Sequence, residues 1–319
     1  MDRRTFLKTA GSAAVVSALG SAGSREAHAE VAKIGAGMRT TIAVSPNWFR
    51  GTHVEQMEQI AAYGFRAFEN LGAGGWRDKD AVRAKCQELG IRIGAIGAGG
   101  SIGGWGPNDP AHHQRFVASV KRAVENAKKL GTKVLLGLTG RDRKGVSKNE
   151  QLDAVAKAGQ LVAPMVEDAG MILVWEALNV LVDHAGYFLI YSKDGAELIK
   201  RTDRPCIRFL FDIYHQQISE GNLINNIRRY IKEIGHFHFA DVPGRHQPGT
   251  GEINYKNVFK AIYEAGYRDI VSCELGKTVP TVEMLKILGR HYASSPCSYR
   301  IISYTICYGV VVEYSGVFR

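Results

Sequence analysis

His236-Phe-His-Phe-Ala-Asp-Val-Pro-Gly-Arg-His-Gln-Pro-Gly-Thr-Gly-Glu-Ile-Asn-Tyr255 is the stretch around which this chain is organised. It opens with polar and apolar residues in alternation, the period of a strand, which sets His236, His238 and Ala240 on one face. The alternation then stops. Asp241 to Gly251 holds two prolines, three glycines, an arginine and a further histidine without any period. That composition predicts a long ordered loop leaving the strand's C-terminal end, a place where chemistry often sits.

Outward from that stretch, one unit recurs from Met38 onward: an apolar or β-branched run, a polar loop, an amphipathic helix and usually a glycine. The runs are 40–49, 65–70, 91–97, 132–138, 171–176, 207–212, 236–239 and 269–274. Glycines at 64, 90, 131, 170, 235 and 266 stand where the preceding helical pattern stops, and Pro205 does so before the sixth run. Thr52-His-Val-Glu55 and Ser147-Lys-Asn-Glu150 have capping-box spacing, which marks two helix starts. Arg115–Leu130 and Leu152–Ala169 place apolar residues at helical spacing with charges opposite. Strand then helix, eight times over, predicts a single-domain α/β (β/α)8 barrel spanning 38–291. An open doubly wound sheet would bring a glycine-rich phosphate loop after its first strand, and Ser45-Pro-Asn-Trp-Phe-Arg-Gly51 is not one. Gly97-Ala-Gly-Gly-Ser-Ile-Gly-Gly104 lacks the required spacing and reads as a flexible connection.

With 319 residues and 45% hydrophobic content, the chain can bury a large core. Its net charge of +10 sits partly at the extreme N-terminus and otherwise scatters along helices, which indicates a solvated basic surface and no nucleic-acid partner. Five cysteines, without CxxC spacing, exclude a disulfide framework and a thiolate metal site.

The termini depart from the repeat. Asp2-Arg-Arg-Thr-Phe-Leu-Lys8, a short Gly/Ala/Ser-rich apolar run and Ala27-His28-Ala29 read as an export signal over 1–29, followed by a linker over 30–37. The twin arginines resemble those of a twin-arginine signal, which implies the twin-arginine export machinery as a partner and the periplasm or exterior as the destination. Residues 292–319 lose helical phase and read as an appended strand, a packing tail or the product of a shifted frame.

In a parallel eight-fold barrel the C-terminal strand ends converge on one mouth. For the last four strands those positions are Glu176, Asp212, His238 and Glu274. A carboxylate ending a buried strand is costly unless it is paired or bound to a cation. Three carboxylates with one imidazole suit Mn²⁺, Mg²⁺, Co²⁺ or Zn²⁺. Two opposed carboxylates can also alternate as base and acid in moving a carbonyl between adjacent carbons, while a cation polarises the C=O.

Val-Trp-Glu176-Ala-Leu-Asn179, Phe-Asp212-Ile-Tyr-His215, His-Phe-His238-Phe-Ala-Asp241, Pro-Gly-Thr-Gly-Glu252-Ile-Asn-Tyr and Cys-Glu274-Leu together resemble the hydroxypyruvate isomerase branch of the xylose isomerase-like TIM barrels. The resemblance covers essentially the whole barrel. It implies a divalent metal held by Glu176, Asp212, His238 and Glu274, with Glu176 and Glu274 as the catalytic pair facing each other across a small hydroxy-carbonyl or sugar substrate. The implied reaction interconverts hydroxypyruvate and tartronate semialdehyde, or a related pair. Ketose 3-epimerisation, also found in the superfamily, is the alternative chemistry, and an exported barrel that binds sugar without turnover is the alternative of another class. Endonuclease IV needs further histidines, and the third and fourth strand ends offer none.

Around this set, His184 and His215 are candidates for substrate oxygens or are loop histidines bonded to backbone. Arg245 and His246 reach from the loop toward an anionic or polyhydroxyl substrate, and Glu69 and Trp48 are further substrate-side or packing positions. Asp241 is expected to orient His238 by accepting its second N–H. The sequence leaves room for a homo-oligomer and fixes no subunit number.

Overall fold

A computed structural model describes residues 40–292, together with 303–307 and 310–314. The export signal and the linker read from residues 1–37 lie outside the described residues. The barrel strands are β1 (Thr41–Val44), β2 (Ala67–Phe68), β3 in two pieces (Arg92–Ile93 and Ala95–Gly99), β4 (Val134–Gly137), β5 (Ile172–Glu176), β6 (Ile207–Asp212), β7 (Ile234–Phe239) and β8 (Ile270–Cys273). They form one parallel sheet of nine segments whose two end segments are the two pieces of β3. The sheet therefore closes on its own third strand.

The helices are α1 (His53–Ala62), α2 (Lys79–Leu89), α3 (His113–Leu130), α4 (Lys148–Asp168), α5 (Ser192–Thr202), α6 (Ile213–Ser219), α7 (Leu223–Tyr230), α8 (Tyr255–Glu264) and α9 (Thr281–Tyr292). Both expected capping boxes form, at Thr52/Glu55 and at Ser147/Glu150. Gly64, Gly90, Gly131, Gly170 and Gly266 all have positive φ, as glycines that end helices do. Gly235 differs. It lies inside β7, where a Cβ would come within 2.6 Å of the Arg208 side chain, so it is needed for close packing. A final antiparallel pair, β9 (Ser303–Cys307) with β10 (Val310–Tyr314), stands apart from the barrel sheet.

Alternation along the strands separates two cores. Trp175, Phe209, Phe211, Phe237 and Phe239 point outward and pack beneath the helices. Each such ring contributes roughly 2–3 kcal/mol relative to exposure. Val134, Leu136, Val174 and Leu210 pack together in a separate cluster. Glu176 and Asp212, each two residues beyond a member of that cluster, share its strand face. Register aligns the functional residues in layers, with Asp212 beside His238 and His238 beside Ser272.

The seam in β3 has a specific cause. Gly94 sits between the two pieces, and a Cβ there would lie 2.3 Å from Glu69 Oε2. The strand opens to admit this carboxylate, which accepts the Ala95 N–H at 2.6 Å in place of a ladder bond. The Gly94 and Gly97 amides, donating to Phe68 and Leu71 at 2.9 Å each, hold the strand against β2 and the segment after it.

Candidate active site

The four strand ends meet at the mouth. One potential ligand atom from each of Glu176, Asp212, His238 and Glu274 lies within 4.8 Å of all the others. His238 is fully buried at the centre. Its Nδ1 donates to Glu274 Oε2 at 2.9 Å and lies 3.4 Å from Glu176 Oε1. Burial opposes charge on this imidazole, but the carboxylates of Glu69 and Glu274 hold its pKa well above the usual histidine range. The same crowding splits the two glutamates. Burial, then the neighbouring Glu274 charge, raises Glu176, whereas His238 and Arg245 outweigh burial and lower Glu274.

Asp212 works in two directions. Its Oδ1 caps α6 by accepting the amides of Tyr214 and His215 at 2.8 and 3.3 Å, and its Oδ2 is the oxygen near Arg245 and His215. The residue has one oxygen for the helix and one for the mouth.

The cluster is fit for a cation. Glu176 Oε1 is buried with no hydrogen-bond partner, and its nearest charged neighbour is the same imidazole nitrogen that Glu274 uses. Three carboxylates and one imidazole converging at the mouth are a donor set that suits a divalent ion.

A second group of potential ligands, Glu69, His236 and His238, lies inside the barrel below the first. Here the bonds are already made. Glu69 Oε2 accepts from Ser272 at 2.8 Å and pairs with His236 Nε2 at 2.8 Å, while Oε1 lies 2.8 Å from His238 Nε2, off the line of an aligned hydrogen bond. Burial would raise Glu69, yet the charges of His238 and His236 hold it far below the usual carboxylate range.

This corrects two expectations. Asp241 does not orient His238; its carboxylate is spent on the loop, accepting amides from Val242, Gly249, Gly251 and Ile253 at 2.8–3.2 Å. Four amides of the turning backbone thus share one carboxylate. Glu69 takes the place proposed for Asp241, with its carboxylate beside both inner imidazoles at 2.8 Å. The sequence reading passed over His236 and Ser272, although the alternation that put His236 on the His238 face was the available signal.

The other predicted residues surround the mouth. Arg245 NH2 donates to Glu274 Oε2 at 2.7 Å and to Asp212 Oδ2 at 3.4 Å, and its Nε donates to the Glu274 carbonyl at 3.2 Å. Its backbone φ is +57°, uncommon for a residue with a Cβ and a sign that the loop is built to aim this side chain. His215 is fully buried and accepts from Asn179 Nδ2 at 2.6 Å through Nδ1, which leaves the proton on Nε2, 3.5 Å from Asp212 Oδ2. Burial pushes its pKa down to about 4, so it stays neutral. His184 lies with its ring 5.0 Å from that of His215. His246 turns away and contacts the Gly276 carbonyl through Nδ1 at 2.8 Å. Trp48 is partly buried against the core. Asn179, Asp183 and Tyr214 were not singled out; Asp183 accepts from the other two at 2.8 and 2.9 Å and so braces His215 through Asn179. Beside Glu274 a cavity of about 290 Å³ is lined by Ser45, Asn47, Glu69, Asn70 and Leu275.

Residues 57–288 match the family described as the xylose isomerase-like TIM barrel, and the chain belongs to that family. A Danio rerio protein provisionally named hydroxypyruvate isomerase is 30% identical over 249 residues, covering 75% of this chain and 90% of its own length. The 2-oxo-tetronate isomerase of Cupriavidus necator is 29% identical over 231 residues, covering 69% and 86%. In the company of these relatives the chain is an isomerase of the hydroxypyruvate isomerase branch. The crystal structure of AP endonuclease, family 2, from Brucella melitensis superposes with a TM-score of 0.69 over 77% of this chain and 96% of the other at 24% identity, a likeness of fold.

Proposed function

We propose that this isomerase moves a carbonyl between adjacent carbons of a small hydroxy-carbonyl acid, with hydroxypyruvate and tartronate semialdehyde as the first pair to test. The observation that carries the reading is that Glu176 and Glu274 converge on one imidazole nitrogen, at 3.4 and 2.9 Å. Two carboxylates that close can work on neighbouring carbons of one short substrate: one takes the proton from the hydroxyl-bearing carbon beside the C=O, the other delivers a proton to the former carbonyl carbon, the hydroxyl proton passes from the first oxygen to the second, and the roles exchange in reverse.

Glu176, Asp212, His238 and Glu274 would hold a divalent ion. When bound, that ion supplies Lewis-acid polarisation of the substrate oxygens. Glu69 keeps His238 in place from below. The neutral His215 presents Nε2–H toward the Asp212 side of the mouth, where it can donate to a substrate hydroxyl or carbonyl oxygen. Arg245 supplies a cation for a carboxylate, a group that hydroxypyruvate has and a neutral ketose lacks.

The test is solvent-deuterium entry into hydroxypyruvate, followed by proton NMR in the presence of Mn²⁺ or Mg²⁺ and again after chelation. Metal-dependent exchange into the acid supports the reading. Exchange confined to ketoses would replace it with 3-epimerisation, and a stoichiometric metal without exchange would leave a binding protein. We further propose that residues 1–29 direct export through the twin-arginine pathway; a reporter fused after Ala29 should reach the periplasm, and mutation of Arg3 and Arg4 to lysine should stop it.

A further inference from the structure

Arg245 places one terminal nitrogen on two carboxylates at once. The Glu274 oxygen it touches, Oε2 at 2.7 Å, is the one that also faces His238 Nδ1. The Asp212 oxygen it approaches is Oδ2, left over once Oδ1 has capped α6. The guanidinium therefore occupies one oxygen on each of two of the four proposed metal ligands, Glu274 and Asp212.

We infer that Arg245 is the resident counter-cation of this site, balancing Glu274 and Asp212 until a divalent ion displaces it. The inference rests on the reading that the four strand-end residues hold such an ion. A guanidinium and a dication on the same pair of oxygens are like charges at contact distance, in surroundings where screening is weak, so the two compete. Arg245 has somewhere to go when it yields. A quarter of its side chain is exposed at the mouth, so rotation about its side-chain bonds can swing the guanidinium off the carboxylates, giving up the Nε bond to the Glu274 carbonyl as it goes. The loop that carries it is pinned by four amides to Asp241, so the exchange needs movement of a side chain and none of the backbone. Loading the ion thereby frees a guanidinium at the mouth to receive a substrate carboxylate, which makes this group available only in a metal-loaded site.

Calorimetric titration of the full chain with Mn²⁺, for wild type and Arg245→Gln, tests this directly. The variant should bind Mn²⁺ roughly tenfold more tightly, the scale of one charge-assisted hydrogen bond no longer to be broken, and its metal-free form should melt at a lower temperature. A second readout uses the wild type alone: phenylglyoxal should modify Arg245 faster when Mn²⁺ is present, as followed by mass spectrometry. Equal or weaker Mn²⁺ binding by Arg245→Gln, or modification that Mn²⁺ leaves unchanged or slows, would overturn the inference and make the arginine a clamp on the ligands. Wild type that binds no Mn²⁺ would remove the metal reading and this inference with it, an outcome distinct from the others.

Discussion

The inner and outer clusters share His238 and solve opposite problems. Inside the barrel, one carboxylate, Glu69, faces two imidazoles and a hydroxyl. At the mouth, three carboxylates face the other side of the same imidazole and one guanidinium, and Glu176 Oε1 has no hydrogen-bond partner. The first arrangement pairs its acid with imidazoles and a hydroxyl, its one misaligned contact being the 2.8 Å approach of His238 Nε2 to Glu69 Oε1. The second gathers more acceptors than donors, the oxygen-rich set that a cation would take. Equal counts of acids and histidines in a sequence would not separate the two; the ratio of carboxylates to donors around a single nitrogen does.

If the division is real, the two clusters should fail differently. The largest expected effect is on turnover at the mouth: Glu176→Gln and Glu274→Gln should each lower the exchange rate by roughly 10³-fold, the scale of losing a positioned acid or base. Metal-free stability should change by less than about 1 kcal/mol in Glu176→Gln, whose charge burial and Glu274 already disfavour, and should fall by about 2 kcal/mol in Glu274→Gln, which takes a charged partner from His238 and Arg245. Chemical denaturation alongside the NMR assay checks both. Glu69→Gln should do the reverse in kind. It strips the inner imidazoles of their counter-charge and should destabilise the fold by about 3 kcal/mol, as breaking a buried pair does. A Glu69→Gln protein as stable as wild type would dissolve the comparison.

Protons sharpen it next. Glu176 and His238 both have raised pKa values in the absence of a metal, so at neutral pH each tends to keep a proton on the atoms an ion would need. The ion must expel those protons. Mn²⁺ affinity should therefore fall as pH falls, by up to about tenfold per pH unit for each proton displaced. Titrations in two buffers of different ionisation heat would count the protons released, and none released would mean that the ion bypasses this pair.

The barrel was legible because its signals are local and repeated. Thr52/Glu55 and Ser147/Glu150 announce helix starts within four residues, and glycines at 64, 90, 131, 170 and 266 announce the stops. The outer cluster was legible because a charged residue ending an apolar run is anomalous in sequence. The inner cluster was not, because its members are joined across the closed barrel: Glu69 and Ser272 are 203 residues apart. Gly94 shows the same limit. Nothing near it in sequence calls for a glycine; the carboxylate that needs the space arrives from the neighbouring strand. Asp241 was misassigned for a related reason, since proximity to His238 in sequence suggested a partner while four loop amides had the stronger claim.

Ser272 gives the smallest and most discriminating test. Its hydroxyl donates to Glu69 Oε2 at 2.8 Å and lies 3.2 Å from His236 Nε2. Ser272→Ala leaves Glu69 its imidazole partners and its bond from the Ala95 amide, so the fold should lose only about 1.5 kcal/mol, one hydrogen bond to a charged acceptor. Because Glu69 lies against His238 from below, looser anchoring should pass upward as weaker Mn²⁺ binding, roughly threefold, less than the tenfold or more expected when a group that orients a ligand directly is removed. A purely structural serine would lower stability and leave Mn²⁺ affinity alone. Measured together, the two quantities separate an inner cluster that merely fills the barrel from one that sets the imidazole on which the mouth converges.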